Sequence, residues 1–409
     1  MRVDVPRLDP TDLARRQIAL DRARTARFAK LLAHKAERMQ ASPLALLRGA
    51  APLFYEILRA EPGLAAGPPV DGWLVGDAHL ENFGAFVADD QGSGKRQPTF
   101  DVNDFDDCFV GPLRFDVLRL ATSFILAGRA LGSGGQAVLA SGQALVDSWL
   151  DHVAAERPMP PEPRPVRALL DQVRARNRLD LLEKRTRVSR GQRRLIRGDH
   201  FVSLSAPVAR ALPAAFARYM ASLPEAVRPA AAEAQIVDAA FHVAGTGSLG
   251  ALRIAVLARG KGDRDGAWLF DLKEEGAPSG AGVGRVPSGR PAERVVTGMR
   301  ACLEEAPRLL GTTSLLGLSL LGRRLAPQED RIDVAHLGAA DLQPLARTFG
   351  ALLGRAHRRG LAPGGRFNAR SLTRGERAAL LQRAIWMAAI HEGVYLAYCA
   401  LSGTARAPK

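Results

Sequence analysis

Apolar residues recur at helical spacing through the first sixty positions, with Ile18, Ala23, Phe28, Leu31 and Leu32 on one stripe and arginine and lysine between them. Thr11 or Asp12 can cap the start of this helix. A break at Ser42-Pro43 precedes a second apolar helix over 44–58, and Glu61-Pro62-Gly63 with Gly67-Pro68-Pro69 reads as a loop. The period then shortens: 73–75, 83–87 and 99–102 read as strands. Strongly apolar helices are predicted over 116–131 and 136–155, and the proline-rich stretch 158–165 as an elbow or linker. A second β region follows, with strands over 236–244, 251–258 and 267–272 joined by glycine-bearing turns at 245–250 and 260–266. A helix over 291–306, a strand-like stretch at 314–321 and helices over 341–359 and 374–400 complete the pattern, without internal repeats.

Composition narrows the class. With 409 residues and 47% apolar content the chain can bury one large core or two ordinary ones. The formal charge of +15 admits anionic partners, although in an arginine-rich chain a generic basic surface is the favoured reading over a dedicated polyanion site. The segment 164–197 is densely basic, but no aromatic residue is interleaved for base stacking, so a solvated face is favoured over a nucleic-acid surface. Cys108, Cys302 and Cys399 lie too far apart for a zinc motif or disulfide framework, which suits a reducing, cytosolic compartment. The N-terminal residues carry no apolar run, and no unbroken stretch of about 18 apolar residues occurs, so neither a secretory signal nor a membrane span is expected.

Four features can carry chemistry. In Gly76-Asp77-Ala78-His79-Leu80-Glu81-Asn82, a carboxylate and an amide on one tight loop can converge, as phosphoryl transfer requires, or can merely bond their own backbone. The run Asp101-Val102-Asn103-Asp104-Phe105-Asp106-Asp107 concentrates carboxylates that a cation must offset, and Mg2+ is the natural candidate. Asp106 stands where a helix–loop–helix calcium site needs glycine, and Pro112 where it needs glutamate, so that site is excluded. Gly245-Thr246-Gly247-Ser248-Leu249-Gly250 is followed by a strand rather than a helix, making it a hairpin tip and not a dinucleotide fingerprint. Lys273 is one of only seven lysines and ends the strand one hairpin later.

The sequence GDAHLENF resembles the GDxHxxN loop of aminoglycoside phosphotransferases and other protein-kinase-like enzymes, and NDFDDCFVGPLRFDVLRLA looks like their IDFxDxxxGDPxxDLAxLA segment. The resemblance implies Asp77 as catalytic base, Asn82 and Asp104 as metal ligands, and Asp116 as a buried acid propping up the catalytic loop. It also implies that Gly245, Gly247, Ser248 and Gly250 cover the phosphates of ATP and that Lys273 pairs with them. Glu293, or else Glu304, would be the helix glutamate that pairs with Lys273. The histidine that usually precedes the catalytic aspartate by two positions is replaced by Val75. Nearly the whole chain also looks like a large bacterial family of uncharacterised proteins, through LRGAAPLFYE, WLVGDAHLENFGAF, DVNDFDD, GTGSLG with LFDLKEE, and LGRAHRRG.

In the kinase-like pattern the glycine loop and lysine precede the catalytic loop, whereas here they follow it. A circular permutation accounts for this. The expected fold is therefore an α+β, two-lobed, protein-kinase-like one, with a helix-rich large lobe and a small antiparallel β lobe. Residues 236–330 would form the small nucleotide-binding lobe, and 1–235 with 331–409 the large one. The expected activity is transfer of a phosphoryl group from Mg-ATP to a hydroxyl of a small-molecule or protein acceptor. The alternatives are a non-catalytic nucleotide sensor, an adenylyl transferase on the same scaffold and, more distantly, a basic nucleic-acid-binding protein.

Overall fold

The structure, a computed structural model, describes residues 8–67, 70–87, 98–189, 191–243, 250–261, 264–363, 365, 367 and 374–404. It is a mixed α+β fold whose sheets are antiparallel. Helix Arg114–Ala130 is apolar on nearly every face, which fits a position inside a bundle, and it packs among helices Gly135–Ala154, Ala339–Arg359 and Arg374–Thr404 around Phe124, Trp149 and Phe349.

A six-stranded sheet stands apart from this core. Its spatial order is Gly311–Leu315, Leu318–Arg324, Trp268–Glu274, Arg253–Ala258, Ile236–His242 and Phe201–Val202. Side chains alternate across it with period two. Ile254, Val256, Phe270 and Leu272 meet Phe216 and Tyr219 of helix Ala206–Ser222, while Ala255, Leu257 and Leu269 meet Leu182 and Leu195 on the other face. The same alternation puts Asp271 and Lys273 on the Leu269 face, which decides where the lysine points.

Several expected elements shift. The first helix, Pro10–Arg24, is capped by Asp9, whose carboxylate accepts from the amides of Thr11 (2.7 Å) and Asp12 (3.1 Å). At the expected break, Ser42 caps the next apolar helix, but that helix breaks at Ala50 into Pro43–Gly49 and Ala51–Ala60. The stretch at 314–321 is a hairpin, turning at Leu316 (φ 50°) and Gly317 (φ 82°). The basic segment contains helices Arg164–Arg174 and Arg178–Arg185 and then a hairpin, Thr186–Ser189 with Gln192–Leu195. Arg176, Arg193 and Arg197 pair there with Asp330, Asp265 and Asp238.

Helix Arg374–Thr404 corrects the expectation about apolar length: among the described residues it is the one helix long and apolar enough to cross a membrane. Scattered polar residues along it hide this from a search for an unbroken apolar run. One side, including Ala384, Met387, Ala388 and Val394, is buried against the rest of the fold, while Trp386 and Leu396 are exposed.

Candidate functional site

Two strand pairings bring the first two motifs together. Asp71–Leu74 runs antiparallel to Phe109–Pro112 with Leu74 opposite Phe109, and Phe83–Phe86 runs antiparallel to Thr99–Val102 with Phe83 opposite Val102. The segments 75–82 and 103–108 therefore leave paired strands at the same end. A backbone bond from Asn103 N–H to the Asn82 carbonyl (3.0 Å) ties them directly. Gly76 sits at φ +84°, and a Cβ there would lie 1.9 Å from the Asp107 carbonyl oxygen, so only glycine permits this approach.

Asp116 props up this loop as the resemblance implies. Its carboxylate accepts from the amides of Val75 (2.6 Å) and Gly76 (3.0 Å), and from His357 Nε2 (3.0 Å). Trp149 Nε1–H donates to His357 Nδ1 (3.0 Å), which leaves the Nε2 proton for Asp116. Asp116 and His357 are both fully buried. The Tyr55 hydroxyl donates to the Gly76 carbonyl from the opposite side.

Asp77 is thereby presented to a cavity and held by Arg119, a buried guanidinium that bonds its carboxylate, donates to the Leu47 carbonyl (2.7 Å) and lies 5.0 Å from the Phe54 ring centre. Burial pushes the Asp77 carboxyl up to about 7; Arg119 opposes that rise, and Asp107 and Asp104 add to it. Asn82 donates its amide N–H to the Asp77 carbonyl (2.6 Å), leaving its own side-chain oxygen as an acceptor. His79 Nδ1 accepts from the Glu81 amide (3.1 Å), and its Nε2 lies 3.7 Å from Asp77. Burial, then Arg48, Arg119 and Arg331, hold the His79 imidazole well below its ordinary value.

Lys273 enters from the sheet. Its ammonium pairs with Asp106 and lies 4.0 Å from Glu275. Asp77, Asn82, Asp104, Asp106, Gly250 and Lys273 all border one cavity of about 540 Å³, within the usual range for small-molecule sites. Gly250, at φ +104°, closes against the N-terminal helix, where a Cβ would lie 2.5 Å from the Arg24 carbonyl oxygen. Gly245, Gly247 and Ser248 lie outside the described residues.

The expected glutamate partner is corrected. Glu293 is exposed and accepts from the Arg290 amide (3.0 Å), so it caps its helix Pro291–Cys302. Glu304 pairs with Arg355 and Arg359. Asp106 is the lysine's partner, and Glu275 is the glutamate beside it. Burial pushes the Glu275 carboxyl up to about 7 against the opposing charge of Lys273, and its Oε1 has no hydrogen-bond partner.

Sequence reading missed the residues that fasten the site. Arg294, next to the nominated Glu293, donates to the carbonyls of Cys108, Asp106 (2.8 Å) and Gly276 (3.0 Å), stapling the acidic loop to the segment after Lys273. Arg119 had a signal: it is the lone charge between Val117 and Gly128 in an otherwise apolar helix. His357 lies within LGRAHRRG, with nothing local to mark its role.

The side chains bordering the cavity include carboxylates, an amide oxygen and one lysine. Among the described residues no group of three His, Cys, Asp or Glu side chains is arranged to hold a metal ion alone. Mg2+ requires only one or two carboxylates beside substrate phosphates, and Asn82 and Asp104 both border this cavity and its neighbour. The buried, unpartnered Glu275 oxygen beside Lys273 leaves a polar atom to be satisfied at the same wall.

No curated protein and no solved structure matches the chain. Residues 27–400 match the model of a family described as an uncharacterized protein conserved in bacteria (DUF2252), and the chain belongs to that family.

Proposed function

We propose that this protein is an ATP-dependent phosphotransferase acting on a hydroxyl of its acceptor. The observation that carries the reading is that Lys273 borders the same cavity as Asp77, Asn82 and Asp104 and pairs with Asp106. The local order supports it as well: a glycine-bearing turn between two antiparallel strands, a lysine on the third, then a helix, as kinases present them. On this reading the fold is a circularly permuted, two-lobed, kinase-like one, with the sheet as small lobe.

Each side chain has a task. Lys273 exchanges Asp106 for nucleotide phosphate oxygens. Asn82 and Asp104 would hold Mg2+, which when bound with ATP shields the charge of the phosphates. Asp77 orients the acceptor hydroxyl and takes its proton, and a carboxyl pushed up to about 7 is well matched to that task near neutral pH. Arg119 fixes the Asp77 rotamer. The three free cysteines support the cytosolic compartment.

The test is turnover of labelled ATP by wild type and Asp77→Asn. Loss of about 10²–10⁴ in rate, with Mg-ATP affinity retained, is expected. Equal turnover in the variant removes Asp77 from its role, and label arriving on the product as AMP makes the protein an adenylyl transferase.

A further inference from the structure

The cavity wall beside Asp77 brings two guanidiniums to a single carboxylate. Arg48, in the last turn of helix Pro43–Gly49, and Arg331, on strand Asp330–Arg331, both reach Glu81, at 2.6 Å and 3.3 Å. One carboxylate thus serves two guanidiniums that come from distant parts of the chain. Arg48 Nε is buried and has no hydrogen-bond partner, although the side chain borders the cavity. Burial, then the charges of Arg331 and Arg38, hold the Arg48 guanidinium below its ordinary value even though Glu81 and Asp77 oppose this. His79, whose Nε2 lies 3.7 Å from Asp77, offers no negative charge in return.

Such a pair of guanidiniums on one carboxylate suits an anion. A guanidinium presents a planar fork of donors that matches a group with two or three equivalent oxygens, and two forks flanking one carboxylate leave donors over. Lys273, the lysine assigned to the nucleotide, pairs with Asp106 rather than with Glu81. The arginine pair is therefore a second anion-recognising feature of the same cavity.

We infer that the acceptor is itself anionic, a phosphate ester or a carboxylate that also bears a hydroxyl. Its anionic group docks on Arg48 and Arg331, and this places the hydroxyl toward Asp77. The hydroxyl half of this inference rests on the phosphotransferase reading; the anion site does not.

The probes are inorganic phosphate and acetate, titrated calorimetrically at constant ionic strength into the full chain. The proteins are wild type, Arg331→Gln, Arg48→Gln and Lys273→Met. Arg331 is half-exposed, so its variant tests the site even where Arg48→Gln does not fold. The expected result is binding of both anions that falls about tenfold in Arg331→Gln and in folded Arg48→Gln, with Lys273→Met serving the nucleotide titration. Preference for phosphate over acetate assigns a phosphate ester, and the reverse assigns a carboxylate. Binding that survives undiminished in Arg331→Gln, or no binding at up to about 50 mM (above the millimolar affinities expected of so small an anion), overturns the site. Mg-ATP titrated into the same proteins separates the two ideas. Phosphate binding without ATP binding removes the phosphotransferase reading and keeps the anion site; ATP binding without an arginine-dependent anion does the opposite.

Discussion

Lys273 and Asp106 form an ion pair across the cavity, and that pair joins the third strand of the sheet to the acidic loop that follows the Asp77 segment. Neither half of the site is complete alone. Asp77, Asn82 and Asp104 are placed by two short strand pairings, whereas Lys273 is placed by the alternation of a different sheet.

Arg294 fastens the two halves, so removing it should cost more than a surface arginine would. Its guanidinium satisfies three carbonyls in a buried setting. Arg294→Ala is expected to lower unfolding free energy by roughly 2–4 kcal/mol, and urea denaturation measures it. A loss under about 0.5 kcal/mol, the level of an ordinary surface substitution, would show that the staple contributes nothing.

His357 and Asp116 form a buried, hydrogen-bonded pair beneath the loop that carries Asp77. His357→Ala leaves Asp116 without one donor and Trp149 without its acceptor. We expect a destabilisation of roughly 2–4 kcal/mol together with lower turnover, because the amides of Val75 and Gly76 lose a fixed partner. Thermal unfolding and ATP turnover on the same preparation check both.

The acid limb of the pH profile should belong to Asp77. Its carboxyl is pushed up to about 7 and must be ionised to accept a proton. The rate at limiting substrate is therefore expected to rise about tenfold per pH unit below that value and to level off above it. Asp77→Asn should flatten this limb. A profile already level between pH 5 and pH 8 would contradict the assignment.

Glu275 predicts an effect on stability. Its carboxyl is raised from an ordinary 4.5 to about 7, so the stability contributed by the protonated form is complete below about pH 4.5 and lost as pH rises through 7. Glu275→Gln removes the ionisation. Relative to wild type it should raise the melting temperature by roughly 3 °C at pH 8.5 and leave it little changed at pH 5. The same shift at both pH values would mean that the charge is not the cause.

Much of this fold was legible in the sequence because long apolar periods force their own burial. Helices Arg114–Ala130 and Gly135–Ala154 and the strands around Arg253–Ala258 lie within a few residues of where their patterns place them. The hairpin at Leu316 escaped because leucine at positive φ gives no turn signal. Within the site, Asp77, Asn82, Asp104 and Lys273 were found through local motifs and the resemblance those motifs carry, and they do border one cavity. The partner of Lys273 was not found, because it depends on how the sheet meets the acidic loop, and Glu293 looked suitable only by its position on the helix. His357, Arg119 and Arg294 act through contacts made by tertiary packing, which no local window contains.

Calorimetric titration of Mg-ATP into wild type, Lys273→Ala and Asp104→Ala tests the central claim most directly. If the two distant segments share one nucleotide site, wild type binds and both variants weaken binding by about tenfold or more. Binding that only one variant weakens, or none to folded wild type, contradicts it.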